Sequence, residues 1–246
     1  MNLRYYMRAR KFRSKWDAAE IEWLMAHVGR GGVCFDIGAH KGGWTYWMRK
    51  AVGASGRVFA FEPQPSLNAY LAGLWTGGYW KNVVLEGMAL SNCGGEAAIY
   101  VPGDAGATSA GASLKEEVLS HEADVHATRV ATMRLDDYVS NAGVSEIEFI
   151  KVDVEGSEFD LVEGAERVLR DLGASWIIES EARHIGEAGV RALFEKMEAA
   201  GSAGYYFSRD GLKALSGFCF ERDQRREGER YWDEAGYCNN FLFRRV

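Results

Sequence analysis

Residues 31–90 alternate short apolar runs with amphipathic stretches, and that rhythm leaves few folds open. "GGVCFDIG" reads as a buried strand that ends in a turn, and "GWTYWMRKAV" follows as a helix closing at Gly53. "GRVFAFEP" is a second buried strand, stopped by Pro63. "SLNAYLAGLWTG" is a second helix capped by Ser66, and "KNVVLEGMAL" supplies a third strand. Strands that are apolar throughout, rather than alternating, must be covered on both faces. Strand–helix–strand order then predicts an α/β fold with a parallel sheet between helical layers.

The rest of the chain fits around that core. Residues 14–28 place Trp16, Ile21, Trp23, Leu24 and Val28 near one helical face behind a Ser14 cap. Residues 94–127 are small, glycine-rich and weakly patterned, with short strands expected at 96–101 and 128–133 as a hairpin or edge addition. So long a loop is usually functional, and its 102–113 stretch is a candidate lid. A strand and helix return at "EIEFIKVDVEGSEFDLVEGAERVLRDLG", and "ASWIIESE" is another strand. "GVRALFEKMEAAG" is a helix, a strand pair turns at Asp210-Gly211, and "NNFLF" closes the chain as a strand. Ten charges in the fourteen positions 221–234 predict a solvated loop or ragged helix there. A basic arm and helix over residues 1–30 and one domain over 31–246 is the expected division.

A net charge of −6 argues against a surface built throughout for nucleic acid. No apolar run approaches the roughly 20 residues of a membrane span. Four scattered cysteines lack any zinc-ligand spacing and read as reduced thiols of a cytoplasmic protein. The first sixteen residues hold six basic and no acidic side chains and are expected to be a solvated, frayed terminus.

Ligands of such sheets bind at the carboxyl ends of the strands, near the point where strand order reverses. The first such loop is Asp36-Ile37-Gly38-Ala39-His40-Lys41-Gly42-Gly43. His40 stands where a dinucleotide fingerprint needs its second glycine, and Asp36 precedes the first. A carboxylate there repels phosphate and suits an ammonium or sulfonium. Glu62, at the end of the second strand, is placed to accept hydrogen bonds from ribose hydroxyls. Met88 and Ala89 would flank an adenine, although a Met packing the sheet explains Met88 equally well. Asp153 and Glu155, two apart at the fourth strand's end, face one side in extended chain. Ser157 and Asp160 fit a capping box, and Glu158 suits the helix dipole. Glu179, Glu181 and His184 emerge at the same edge from the fifth strand.

Together, "FDIGAHKGGWT", "VFAFEPQP", "ALSN", "TMRLDDYV", "IEFIKVDVEGSE" and "NNFLF" resemble the FkbM family of S-adenosylmethionine-dependent methyltransferases. The resemblance runs nearly continuously over residues 33–181 and departs at His40, where such proteins usually carry Asn. It implies a Rossmann-like class I methyltransferase fold: a mostly parallel seven-stranded sheet, helices on both faces and a β-hairpin insertion. It implies S-adenosylmethionine as cofactor, with Asp36, Gly38 and Gly42 at the methionine portion, Glu62 at the ribose and Met88–Ala89 at the adenine. Ala39, His40 and Pro63, beside these positions, are expected to bind the cofactor too. Asp153 would sit where cofactor and acceptor meet, and the acceptor would be a sugar or polyketide-type hydroxyl.

O-methylation needs an acceptor freed of its proton, so Asp153, Glu155, Glu181 and His184 are the candidate catalytic groups. A divalent ion, if used, is expected on Asp153 and Glu181. Tyr231 and Trp232 are candidates to stack on a sugar. Two rivals stand beside this reading. A nicotinamide-dependent oxidoreductase on the same sheet requires a glycine fingerprint that is missing, and a non-catalytic module would use the basic arm to bind RNA or an acidic partner.

Overall fold

The computed structural model describes residues 3–76, 78–228, 231–234 and 236–245. The chain opens with α1 (Leu3–Lys11), a π-helical turn at Phe12–Trp16 and α2 (Ala18–His27). Then follow β1 (Val33–Ile37), α3 (Gly43–Val52), β2 (Arg57–Phe61), α4 (Pro65–Leu74) and β3 (Val83–Glu86). A side unit comprises β4 (Met88–Leu90), β5 (Gly95–Pro102) and β6 (Val125–Met133). The main path resumes through α5 (Leu135–Asn141), β7 (Phe149–Val152), α6 (Glu158–Glu163), α7 (Glu166–Asp171) and β8 (Ser175–Glu179). It ends with α8 (Ala182–Ala199), β9 (Ser202–Ser208), β10 (Gly211–Ala214), the single turn α9 (Phe220–Asp223) and β11 (Asn240–Arg245).

The main sheet runs β10-β9-β11-β8-β7-β1-β2-β3. From β8 to β3 it is parallel, while β11 is inserted antiparallel between β8 and β9. The eighth strand, one more than expected, is β10, paired with β9 across the anticipated Asp210-Gly211 turn. Strand order reverses between β1 and β7, so the carboxyl ends of these two strands splay into the switch-point crevice. The period of two sorts the core. Phe35, Ile37, Phe59 and Phe61 join the α5–α8 side, whereas Cys34, Val58 and Phe149 join the α1–α3 side. Asp36 and Lys151 share the second face, each 1% exposed.

Several local expectations are corrected. The expected third strand splits at Gly87, and Met88–Leu90 leave the main sheet to pair in parallel with Ala131–Met133. The hairpin strands β5 and β6 are longer than expected and complete this second sheet. Ser66 does not cap α4, because Pro65 already occupies the first helical turn and Gln64 holds the cap position. Ser14 lies in the π turn, and α2 starts four residues later. The Ser157 capping box does not form: its hydroxyl is buried without a partner, and Glu158 Oε1 instead accepts from Gly156 N–H at 2.8 Å.

The basic terminus is not frayed over its described residues, which begin at Leu3; Met1 and Asn2 lie outside them. Tyr5 and Ala9, one helical turn apart, form the inner face of α1 and are fully buried against α3. Tyr5 donates its hydroxyl to Gly42 O at 2.7 Å, and Trp47 donates its indole N–H to Ala9 O at 2.7 Å. Burying such a side chain contributes about 1.5–3 kcal/mol, more than fraying returns in backbone entropy for that residue. Over its described residues the 221–234 segment is a short helical turn and an exposed loop, as expected, except that Asp223 and Gln224 are buried; Glu229 and Arg230 lie outside the described residues. Gln224 is buried, donates to Ser180 O and Cys238 O at 2.8 and 3.0 Å, and accepts from Ala182 N–H at 2.8 Å. It thereby fixes the turn from β8 into α8.

Candidate active site

A cleft of about 340 Å³ opens at the switch point, between the carboxyl ends of β1, β2, β7 and β8. Its floor is the Asp36–Gly43 loop. Gly38 has φ +87°, and a Cβ there would sit 1.8 Å from Asp153 O, so only glycine lets the two strand ends approach. Gly38 and Ala39 donate their N–H groups to Phe61 O at 3.1 and 2.9 Å, folding the loop across the end of β2. His40 follows with φ +48°, a left-handed conformation in which Asn, Asp and His are enriched. Its N–H donates to Glu62 Oε2 at 2.7 Å, while Gln64 N–H donates to Glu62 Oε1 at 2.8 Å. Glu62 therefore binds two loops together and keeps further lone pairs on each oxygen.

Carboxylates dominate the walls. Asp36 accepts a hydrogen bond from the Thr45 hydroxyl, and burial nonetheless pushes its pKa up to about 6. Burial likewise raises Glu62 to about 7, against the pull of its two backbone donors. Lys151 is the counter-charge: its ammonium lies 4.0 Å from Asp153 and 3.7 Å from Glu179, with the Trp44 ring 5.7 Å away. Burial alone would pull Lys151 down, but Asp153 and Glu179, joined by Asp17 and Asp36, together outweigh it and hold the amine above its usual range. Trp44 in turn donates its N–H to Asp17 at 2.8 Å.

Of the residues singled out from sequence, Asp36, Gly38, Ala39, His40, Glu62, Pro63, Met88, Ala89, Asp153 and Glu155 line the cleft. Gly42 stands behind it, in a left-handed conformation capping α3 beneath Tyr5. Asp153 and Glu155 reach the cleft by a turn rather than by extended alternation, since β7 ends at Val152 and Glu155 has φ +46°. Glu181 and His184 lie off the cleft. Glu181 is 2% exposed and held by both Arg183 Nε and Nη2, at 2.7 and 2.8 Å. His184 Nε2 sits 3.3 Å from Glu155 Oε2, and burial, with Arg183 nearby, lowers its pKa to about 4. The expected metal pair is not assembled as expected: the grouping within ligand reach is Glu155, Glu181 and His184, with ligand atoms within 4.8 Å and Asp153 outside it. An ion there would compete with Arg183 for Glu181. Trp232 packs its ring on Arg183 at 5.0 Å, and neither it nor Tyr231 lines the cleft.

Sequence reading assigned no role to several wall residues. Arg8, Phe12, Trp16 and Asp17 come from the N-terminal segment, and Lys151 and Gln64 from inside recognised stretches. The Tyr5, Ala9, Phe12 spacing is a helical stripe that would have shown α1 to have a buried face. The 102–113 segment crosses the cleft, contributing Ser109, Ala110 and Ala112. Gln64 pins it through a paired amide contact, donating to Ser109 O at 2.8 Å and accepting from Ser109 N–H at 3.1 Å. Farther along, Ser113 donates its hydroxyl to Glu155 O at 2.6 Å. Gln64→Ala is expected to cost about 1–2 kcal/mol and to speed proteolytic cleavage within this segment. An unchanged cleavage rate would show that the amide pair does not restrain it.

A parallel sheet with one antiparallel strand inserted towards its edge, and an acid-rich, glycine-floored cleft at its switch point, make this a class I methyltransferase fold. The Methyltransferase FkbM domain matches residues 36–205, and the chain belongs to that family. Among solved structures, it is similar to a methyltransferase FkbM from Methylobacillus flagellatus KT, with 13% identity and a TM-score of 0.52. That alignment covers 96% of this chain but 52% of the other, so this chain spans about half of that protein's length. It is also similar to the O-methyltransferase TomG from Streptomyces achromogenes, solved with S-adenosylmethionine, at 12% identity and a TM-score of 0.51. There the alignment covers 100% of this chain and 90% of that one. No curated protein matches the sequence. No helix among the described residues is long and apolar enough to cross a membrane.

Proposed function

We propose that the chain transfers the methyl group of S-adenosylmethionine to a hydroxyl of a small molecule, a sugar or natural product. The observation that carries this reading is the chemistry of the cleft. Six carboxylates line it (Asp17, Asp36, Glu62, Asp153, Glu155 and Glu179) against two cations, Arg8 and Lys151. That balance favours a ligand bearing ammonium and sulfonium charge and disfavours pyrophosphate. Glu62 is offered to the ribose hydroxyls, and Met88, Ala89 and Leu90 form an apolar slot for the adenine. The donor set thus fits the cofactor, and the first thirty residues, which supply Arg8 and Asp17 to the cleft, act with residues 31–246 as one catalytic unit.

S-adenosylmethionine supplies an activated methyl on sulfur that passes in line to an acceptor lone pair. The protein orients the acceptor, excludes water and takes its proton. Glu155 is the base of this reading: it lines the cleft, and burial, reinforced by Asp153, raises its carboxyl above the usual range, which makes it a stronger proton acceptor once ionised. His184, 3.3 Å from Glu155 and outside the cleft, acts as a positioning residue. The test is transfer of isotope-labelled methyl to a panel of hydroxylated acceptors. Labelled product from a hydroxyl compound supports the reading, and label appearing only on nitrogen or carbon acceptors overturns O-methylation.

The raised pKa values give a pH signature. Asp36 at about 6 and Glu62 at about 7 lie above their unfolded values of 3.8 and 4.5. Such groups favour the folded state most below the unfolded values, and that contribution is lost as pH rises through the folded ones. Without ligand, thermal stability should therefore fall from about pH 4 to about pH 7, while affinity for the cationic cofactor rises as both ionise. Calorimetry across that range checks the sign, and affinity that falls with pH would contradict it.

A further inference from the structure

We propose that Arg8 of α1, together with the His40 side chain, forms the subsite for the α-carboxylate of the cofactor's methionine portion. This rests on the S-adenosylmethionine reading and adds to it a residue outside the stretch matched by the family, which begins at residue 36.

An amino-acid end is zwitterionic, and a wall of carboxylates that welcomes its ammonium repels its carboxylate. A cation beside it answers that repulsion most directly. Of the two cations lining the cleft, Lys151 is already committed to Asp153 and Glu179, at 4.0 and 3.7 Å. Among the described residues Arg8 makes no hydrogen bond or ion pair, and it is half-buried at the cleft wall. Its electrostatic neighbours are His40 and Lys41, so this end of the cleft is the cationic one. His40 lines the same cleft, and its Nε2 is buried with no partner, a group left waiting for a ligand atom. These groups surround the Asp36–Gly43 loop, where the methionine portion is assigned.

Arg8 is also held in place. On one side, Tyr5 bonds to Gly42 O, and on the other, Trp47 bonds to Ala9 O, both at 2.7 Å. Phe12 packs so closely on Gly43 that a Cβ there would lie 2.3 Å from its ring. The helix carrying Arg8 is therefore fastened at three points to the loop and helix forming the cleft floor. A guanidinium on such a support meets a carboxylate with two parallel hydrogen bonds.

The experiment is a calorimetric titration of the full chain and of Arg8→Gln with two ligands: S-adenosylhomocysteine and its decarboxylated analogue, which keeps the amine. Arg8→Gln is expected to weaken S-adenosylhomocysteine about 10- to 100-fold and to leave the analogue unchanged. In the unaltered chain the analogue should already be weaker by a similar factor. Arg8→Lys, which keeps the charge and loses the fork, should fall between. Equal weakening of both ligands, or of neither, overturns the assignment while leaving the cofactor reading in place. Binding of neither ligand by the unaltered chain overturns the cofactor reading, and this assignment with it.

Discussion

Gly38→Ala should cripple both the fold's central crossing and ligand binding. A methyl at this position would lie 1.8 Å from Asp153 O, a backbone atom at the end of the neighbouring strand, and the residue would keep φ +87°. A left-handed non-glycine residue costs about 1–2 kcal/mol. Separating the two strand ends to admit the methyl adds about 1–3 kcal/mol of strain. The expected loss of about 2–5 kcal/mol lowers the melting temperature by roughly 5–20 °C in a chain of this size. Moving Asp153 away from Gly38 also disturbs the Lys151 contacts and the cleft floor, so stabilisation by S-adenosylhomocysteine should vanish. Thermal unfolding with and without that ligand reads both effects. A variant that melts and binds like the original would mean that the strand ends are not locked in this geometry.

Glu155→Gln should lower kcat about 10²- to 10⁴-fold, the range for loss of a positioned base. Glutamine keeps the shape and removes the proton acceptor, so S-adenosylhomocysteine binding should persist. The sign of the pH effect follows from the raised pKa. In the unaltered enzyme, activity climbs with pH as the Glu155 carboxyl ionises, and Glu155→Gln should remove that acid limb. His184→Ala should shift the limb and cost less, because His184 touches Glu155 and does not line the cleft. If Asp153→Asn alone carries the loss of kcat while Glu155→Gln turns over normally, the base is Asp153.

The parts of the site legible in the sequence share a physical form. Asp36, Glu62 and Asp153 each lie at the carboxyl end of a largely apolar strand, and in a doubly wound sheet that end has only one place to go. Glu181 and His184 satisfied the same rule and reached the same edge, yet Arg183 and Glu155 claim them. Side-chain partners two or three residues past a strand end depend on how the following helix starts, which spacing does not specify. Lys151 was hidden for a related reason. A lysine inside an apolar strand looks like an exposed interruption until Trp44, Asp153 and Glu179 are seen to enclose it. The N-terminal wall was obscured by its charges. Arg4, Arg8, Arg10 and Lys11 dominate the composition of α1, while the two residues that bury it are Tyr5 and Ala9. The three serine caps failed because a cap is decided by backbone geometry at one residue: Ser14 falls inside the π turn, Pro65 shifts the start of α4 away from Ser66, and Glu158 rather than Ser157 takes the Gly156 N–H.

The central claim is that the switch-point cleft is built for a cationic nucleoside. Calorimetric titration of the intact chain with S-adenosylmethionine and with a nicotinamide dinucleotide, run side by side, tests it most directly. Saturable one-to-one binding of S-adenosylmethionine, weakened by Asp36→Asn, with no heat from the dinucleotide, is the predicted result. Binding of the dinucleotide and not of S-adenosylmethionine would contradict it.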